Sequence, residues 1–231
     1  RLVPDFPLTT KQEFLKEDPI RYVGPEGSDV RGDHEAMLSC AWGRPSDAFG
    51  KMFTRYDGAT KCPRLPGPPY HFVSSVLSVD VAPGSAPNEG TLVSTFEVEP
   101  DAWYFDEGQG HMPFAVIVEA LLQPCGWFAS YCNFFADTEG DVAFRNLDGE
   151  NCILHRPIKP DMGTLTLTTK LTRFAKAGGT SIVFFEVLCE NDDGPVMTLE
   201  TDFGFFSPQI LEDQRGLPMT EEMLARRDAE S

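Results

Sequence analysis

Glu119 and Gln123 are the two side chains whose types and spacing point most directly to chemistry. They stand four residues apart in MPFAVIVEALLQPCGWFASYCNFF, residues 112–135, where Glu119 is the only charged residue. A charge taken out of water is costly unless it is paired, neutralised or used. Desolvation raises a carboxyl pKa and keeps the group protonated closer to neutrality, which suits it to giving a proton away. On a helix, Gln123 shares a face with Glu119, where its amide can hold a water or a leaving hydroxyl. The alternative is a structural acid, hydrogen-bonded to sheet backbone or to an arginine such as Arg145.

Proton transfer also needs a base. His111 lies immediately before Met112 and is nearest to the acid in sequence. His71, in PPYHF, reads as a structural or surface residue, and His34 and His155 lie outside the motif region. The six cysteines show no CxxC spacing, and no metal cluster, glycine-rich phosphate loop or Ser-His-Asp arrangement stands out. Cys125 and Cys132, inside the apolar run, read as small buried hydrophobes. No signal peptide is evident, so a reduced, cytoplasmic setting is expected. The chain starts at Arg1 without a Met and reads as a piece of something longer.

At 231 residues and 41% hydrophobic, this is a globular composition with one generous domain or a domain plus extension. A net charge of -17 argues against nucleic acid or an anionic membrane surface, both of which want basic patches. The apolar run is long enough to span a bilayer. Glu119, Gln123, Pro124, Gly126 and Asn133 interrupt it, and a helix buried inside a protein fits better.

The elements that must position this helix read as strands on both sides of it. FVSSVLSVDV and TLVSTFEVEP precede it, joined by the turn residues APGSAPNEG. GTLTLTTKLTRF, SIVFFEVLCEN and VMTLETDFGFF follow, and FRNLDGENCILHRPI supplies a further strand. In the last of the three, Met197, Leu199, Thr201, Phe203 and Phe205 alternate with polar residues, which predicts a strand with one buried face. A helix with no polar face must be covered nearly all round. The spacing predicts one helix over 114–135, with a bend at Pro124, wrapped by an antiparallel sheet of five or more strands. That is an α+β hotdog. Residues 1–60 read as a lead-in extension with one short helix near 33–41, 61–211 as the hotdog, and 212–231 as a charged linker.

PRLPGPPYHFVSSV, AWYFDEGQGHMPFAVIVEALLQPCGWFASY and FRNL resemble the dehydratase regions of polyunsaturated fatty acid synthases. More distantly they resemble bacterial 3-hydroxydecanoyl-acyl-carrier-protein dehydratase. The resemblance covers about residues 60–210. It implies paired hotdogs that remove water from 3-hydroxyacyl thioesters, each site taking a His from one hotdog and an acid from the other. The substrate rides on the phosphopantetheine arm of an acyl carrier protein, and no other cofactor is implied. Met112-Pro113, Glu119 and Gln123 match the family's Met-Pro and acid-x-x-x-Gln. Phe105 stands where the family has its His, and Phe114 where it has a Gly. In this reading Glu119 is the acid and Gln123 its companion. Met112, Pro113 and Phe114 line the substrate, with the first-turn N–H groups turned to the developing enolate oxygen. The missing His comes from an adjacent hotdog or a second copy of the chain. A silent structural or acyl-binding hotdog and a hotdog thioesterase are the alternatives.

Overall fold

The computed structural model describes residues 19–137, 141–177, 180–212 and the isolated positions 220, 221, 223, 226 and 229. Six strands form one antiparallel sheet: β1 (Ser75–Val79), β2 (Gly90–Glu97), β3 (Ala143–Leu154), β4 (Thr164–Ala177), β5 (Thr180–Asn191) and β6 (Gly194–Phe206), in the order β1-β2-β4-β5-β6-β3. The alternation read from the last strand holds. Met197, Leu199, Thr201, Phe203 and Phe205 are buried, while Glu200 faces out. β1 and β3 are the two edges, and β3 is exposed along most of its length.

The helices are α1 (His34–Ala41), α2 (Pro45–Phe49), α3 (Trp103–Glu107), α4 (Phe114–Tyr131) and α5 (Pro208–Glu212). Asp33 is the N-cap of α1, its carboxylate accepting from the Ala36 N–H at 3.2 Å. The central helix α4 passes through Pro124 without interruption. It stops at Tyr131, short of the expected Phe135. Asn133 there takes a left-handed backbone, φ 53°, which Asn tolerates better than most residues and which cannot continue a helix. Phe134 and Phe135 follow in the turn and are still buried, so the apolar run outlasts the helix it announces.

The lead-in packs on the same core as the hotdog. Phe49 meets Trp127 at 5.4 Å between centroids, and Phe53 meets Phe135 at 6.1 Å. The sheet supplies another side: Phe128 lies against Phe185 at 6.2 Å, and Phe135 against Phe205 at 5.3 Å. Trp127, Phe128 and Tyr131 are consequently fully buried. α4 has the length and composition of a membrane span, and about two-thirds of it, 67%, is buried inside the fold.

As expected, the helix is covered over most of its surface, and one stripe of it stays partly open. Ala115 is exposed and Val118, Glu119, Leu122 and Gly126 are half-buried. At 100° per residue these five fall on one stripe of α4. At its far end Leu65 and Phe144, near the start of edge strand β3, stand over Gly126.

Candidate active site

Glu119 sits in the middle of that stripe, half-buried, in the second turn of α4. The Gln123 amide donates to its Oε1 at 3.0 Å, its only hydrogen bond among the described residues. Burial pushes the carboxyl above the ordinary glutamate range, and the Gln123 hydrogen bond, the smaller effect, pulls the other way. Arg145, the arginine considered as a partner, is exposed and donates to the Phe144 carbonyl instead, at 2.9 Å. No ion pair forms with Glu119 among the described residues.

Gln123 is buried, and its amide behaves like a peptide group inserted into a strand ladder. Its Oε1 accepts from the Phe72 N–H at 2.8 Å, and its Nε2 donates to the Tyr70 carbonyl at 2.8 Å as well as to Glu119. One nitrogen has two protons, so both are committed and little remains for a leaving hydroxyl. Gln123 therefore ties α4 to the PPYHF segment and aims Glu119. The same segment brings Tyr70 beside the acid: burial first, then the charge of Glu119, raises the Tyr70 phenol above its usual range.

The helix entry is built by Met112 and Pro113. Met112 is buried, and its N–H donates to the Ile158 carbonyl at 3.0 Å in the loop between β3 and β4. Pro113 occupies the N-cap, one position earlier than a helical first residue, with extended backbone. Its carbonyl accepts from the Val116 and Ile117 N–H groups at 2.9 and 3.0 Å. The Phe114 and Ala115 N–H groups lie ahead of the helical ladder, at its positive end. Phe114 is 52% exposed, a large apolar side chain on the surface beside these donors.

The histidines divide differently from what sequence proximity suggests. His111 is exposed on a surface turn and its N–H donates to the Gly108 carbonyl at 3.1 Å. Gln109 and Gly110 both have positive φ, and a Cβ on Gly108 would lie 1.7 Å from the His111 carbonyl oxygen. Only glycine closes the turn this tightly. His34 and His71 are buried against each other, ring centroids 6.5 Å apart. Their Nδ1 atoms face the carbonyls of Ser74 at 3.0 Å and Pro66 at 2.9 Å, and since a carbonyl only accepts, both rings carry the Nδ1 proton. Nothing in the motif region marks His34 as a core residue. Phe105 is buried on α3 with its ring 4.7 Å from Tyr104, so an apolar packing residue fills its place.

Among the described residues no group of three or more His, Cys, Asp or Glu could hold a metal, and all six cysteines are free. Five of the six are buried, as read for Cys125 and Cys132.

The comparisons with known proteins fall on this region. A polyunsaturated fatty acid synthase subunit from Thraustochytrium sp. (strain ATCC 26185 / S-3) is 27% identical over 217 residues, 86% of this chain and 14% of that protein. The chain therefore spans about one-seventh of the length of that curated relative. Among solved structures, the dehydratase heterocomplex ApeI:P from Xenorhabdus doucetiae aligns with a TM-score of 0.46 and 14% identity, over 64% of this chain and 92% of the other. A probable thioesterase from Bartonella henselae aligns with a TM-score of 0.40 and 17% identity, over 55% of this chain and 98% of the other. Residues 65–200, more than half of the chain and all of the site around Glu119, match the FabA-like domain family, and the chain belongs to that family.

Proposed function

We propose that this chain is the acid-bearing half of a dehydratase that converts 3-hydroxyacyl thioesters to enoyl thioesters. The observation that carries this reading is Glu119: a half-buried carboxyl with a raised pKa, clamped by Gln123, on a stripe of α4 that the described residues leave partly open. A carboxyl held protonated by burial can protonate the 3-hydroxyl as it leaves. The proton at carbon 2 goes to a histidine on a partner hotdog, because Phe105 fills the family's place for it. The partly open stripe and the neighbouring edge of β3 are where such a partner supports the site, either an adjacent hotdog of a longer synthase or a second copy. An unpaired edge strand and an open apolar stripe both favour association. The substrate arrives on the phosphopantetheine arm of an acyl carrier protein, in a cytoplasmic setting. The Phe114 and Ala115 N–H groups meet the thioester oxygen, with Met112 and Pro113 shaping their approach and the bulky Phe114 narrowing it. His111, exposed on its turn, takes no part.

A second reading draws on Phe105 and Phe114, which depart from the family pattern: the chain completes a partner's site without chemistry of its own. One experiment separates the two. Joined to a histidine-bearing hotdog, the chain dehydrates a 3-hydroxyacyl-pantetheine thioester, followed by the absorbance of the enoyl product. Glu119→Gln lowers the rate by about 10²–10⁴-fold with the fold intact. A joined enzyme indifferent to Glu119→Gln would refute the acid role and favour the silent one.

A further inference from the structure

Tyr70 is held beside Glu119 more firmly than a surface tyrosine needs to be. Its carbonyl accepts from the Gln123 nitrogen that also donates to Glu119, so the three residues form one connected unit. Its N–H closes a turn on the Gly67 carbonyl at 3.0 Å. Its ring stacks on Trp103, centroids 6.2 Å apart and planes inclined by 28°, and meets Phe72 edge-on at 5.1 Å. Trp103 is fixed to the same turn, its indole N–H donating to the Pro69 carbonyl at 3.2 Å. Neighbours on two sides leave the Tyr70 ring little rotamer freedom.

The hydroxyl is the part of Tyr70 that the described residues leave unused. The Tyr131 hydroxyl donates to the Val81 carbonyl at 2.7 Å, and the Tyr56 hydroxyl accepts from Arg55. The Tyr70 hydroxyl makes no hydrogen bond among the described residues, and the residue is half-buried. Tyr70 is thus an ordered phenol, its donor unused among the described residues, in the electrostatic reach of the half-buried Glu119 carboxyl.

We propose that Tyr70 is a further substrate-contacting residue of the acid site, its hydroxyl donating a hydrogen bond to the 3-oxygen of the 3-hydroxyacyl thioester while Glu119 protonates that oxygen. The assignment rests on the dehydratase reading above. The 3-oxygen has two lone pairs, one for each donor. As the C3–O bond breaks, its electron pair stays on oxygen and the Glu119 proton completes the water. The C2–H electrons form the double bond, and the partner's base holds the C2 proton. Tyr70 keeps its own proton throughout and stabilises the charge building on the leaving oxygen. The Tyr70 and Trp103 rings give the first acyl carbons a flat apolar wall.

The test uses the joined enzyme with a 3-hydroxyacyl-pantetheine thioester. Tyr70→Phe keeps the ring packing and the carbonyl that binds Gln123, and removes only the hydroxyl. It lowers kcat/KM about tenfold, equivalent to about 1.4 kcal/mol. Calorimetric binding of inert amide analogues supplies a readout that a structural role does not move. Wild type binds the 3-hydroxyacyl analogue more tightly than its 3-deoxy counterpart, and Tyr70→Phe narrows that ratio about fivefold or more. The ratio is taken within one variant, so partial unfolding, which scales both affinities together, cannot imitate the effect. Wild-type kinetics and an unchanged ratio in Tyr70→Phe, with Glu119→Gln still inactive, overturn the Tyr70 assignment alone. Full activity in Glu119→Gln overturns the dehydratase reading and takes the Tyr70 assignment with it.

Discussion

The two sides of α4 are treated differently by the fold. On one side Trp127, Phe128 and Tyr131 are sealed between the sheet and the lead-in residues Phe49 and Phe53. On the other, Ala115, Val118, Glu119, Leu122 and Gly126 stay partly open. The hydrophobic effect acts on area removed from water, whatever removes it. A helix without a polar face must therefore be covered, but part of that cover can come from another chain. The open side is also the side with the carboxylate.

The largest expected effect tests the sealed side. Phe53 is fully buried among Phe49, Tyr56 and Phe135, and Phe53→Ala leaves a cavity there. Denaturant unfolding shows a loss of about 3–5 kcal/mol in one cooperative transition. If the lead-in were an independent appendage, the transition of the hotdog would keep its midpoint, and the contrast between the two sides would lose its basis.

The sealed side also shows what the sequence made legible and where it stopped. The β6 alternation and the apolar helix were readable because period 2 and an unbroken apolar run each have one simple structural solution. The packing of Phe49 and Phe53 onto Trp127 was not, since it joins short, aperiodic segments far apart in sequence. The end of α4 was hidden for a related reason: Phe134 and Phe135 are buried as a turn, and burial alone does not distinguish a turn from a helix. The contact between Glu119 and Gln123 was legible from their i,i+4 spacing. The Gln123 bonds to Tyr70 and Phe72 cross more than fifty residues of chain, and no local pattern announces them.

The open side gives a smaller effect on stability and a decisive one on association. A two-fold dimer of the unjoined chain through its partly open stripe is the expected outcome. Ala115 is exposed in the first turn of α4, where a negative charge is tolerated by the helix dipole. Ala115→Glu therefore changes stability by no more than about 0.5 kcal/mol. In a two-fold contact, however, it places like charges against one another. Sedimentation at tens of micromolar, about the range of weak interfaces, shows a dimer for wild type and a monomer for Ala115→Glu. A wild-type monomer would mean the stripe is reserved for a different partner hotdog, which co-purification with the joined chain resolves.

The smallest effect is the stability cost of the acid itself. Burial raises the Glu119 carboxyl above the range it has in the unfolded chain, so the folded state holds its proton more tightly. The stabilisation from that proton is complete below the unfolded glutamate pKa of about 4.3 and is lost as pH rises through the folded value. Glu119→Gln keeps an acceptor for the Gln123 amide at every pH and has no proton to lose. The two proteins should therefore melt together near pH 4, and the variant should melt higher at pH 7, by about 1–2 °C for a domain of this size. The gap is small because Glu119 lies on the open stripe and stays half-exposed, where water screens the cost of its charge. A partner that covers the stripe removes that water. In the joined enzyme the same gap should widen, and its opening should shift to higher pH. A gap of the same size with and without the partner would show that Glu119 lies outside the partner contact.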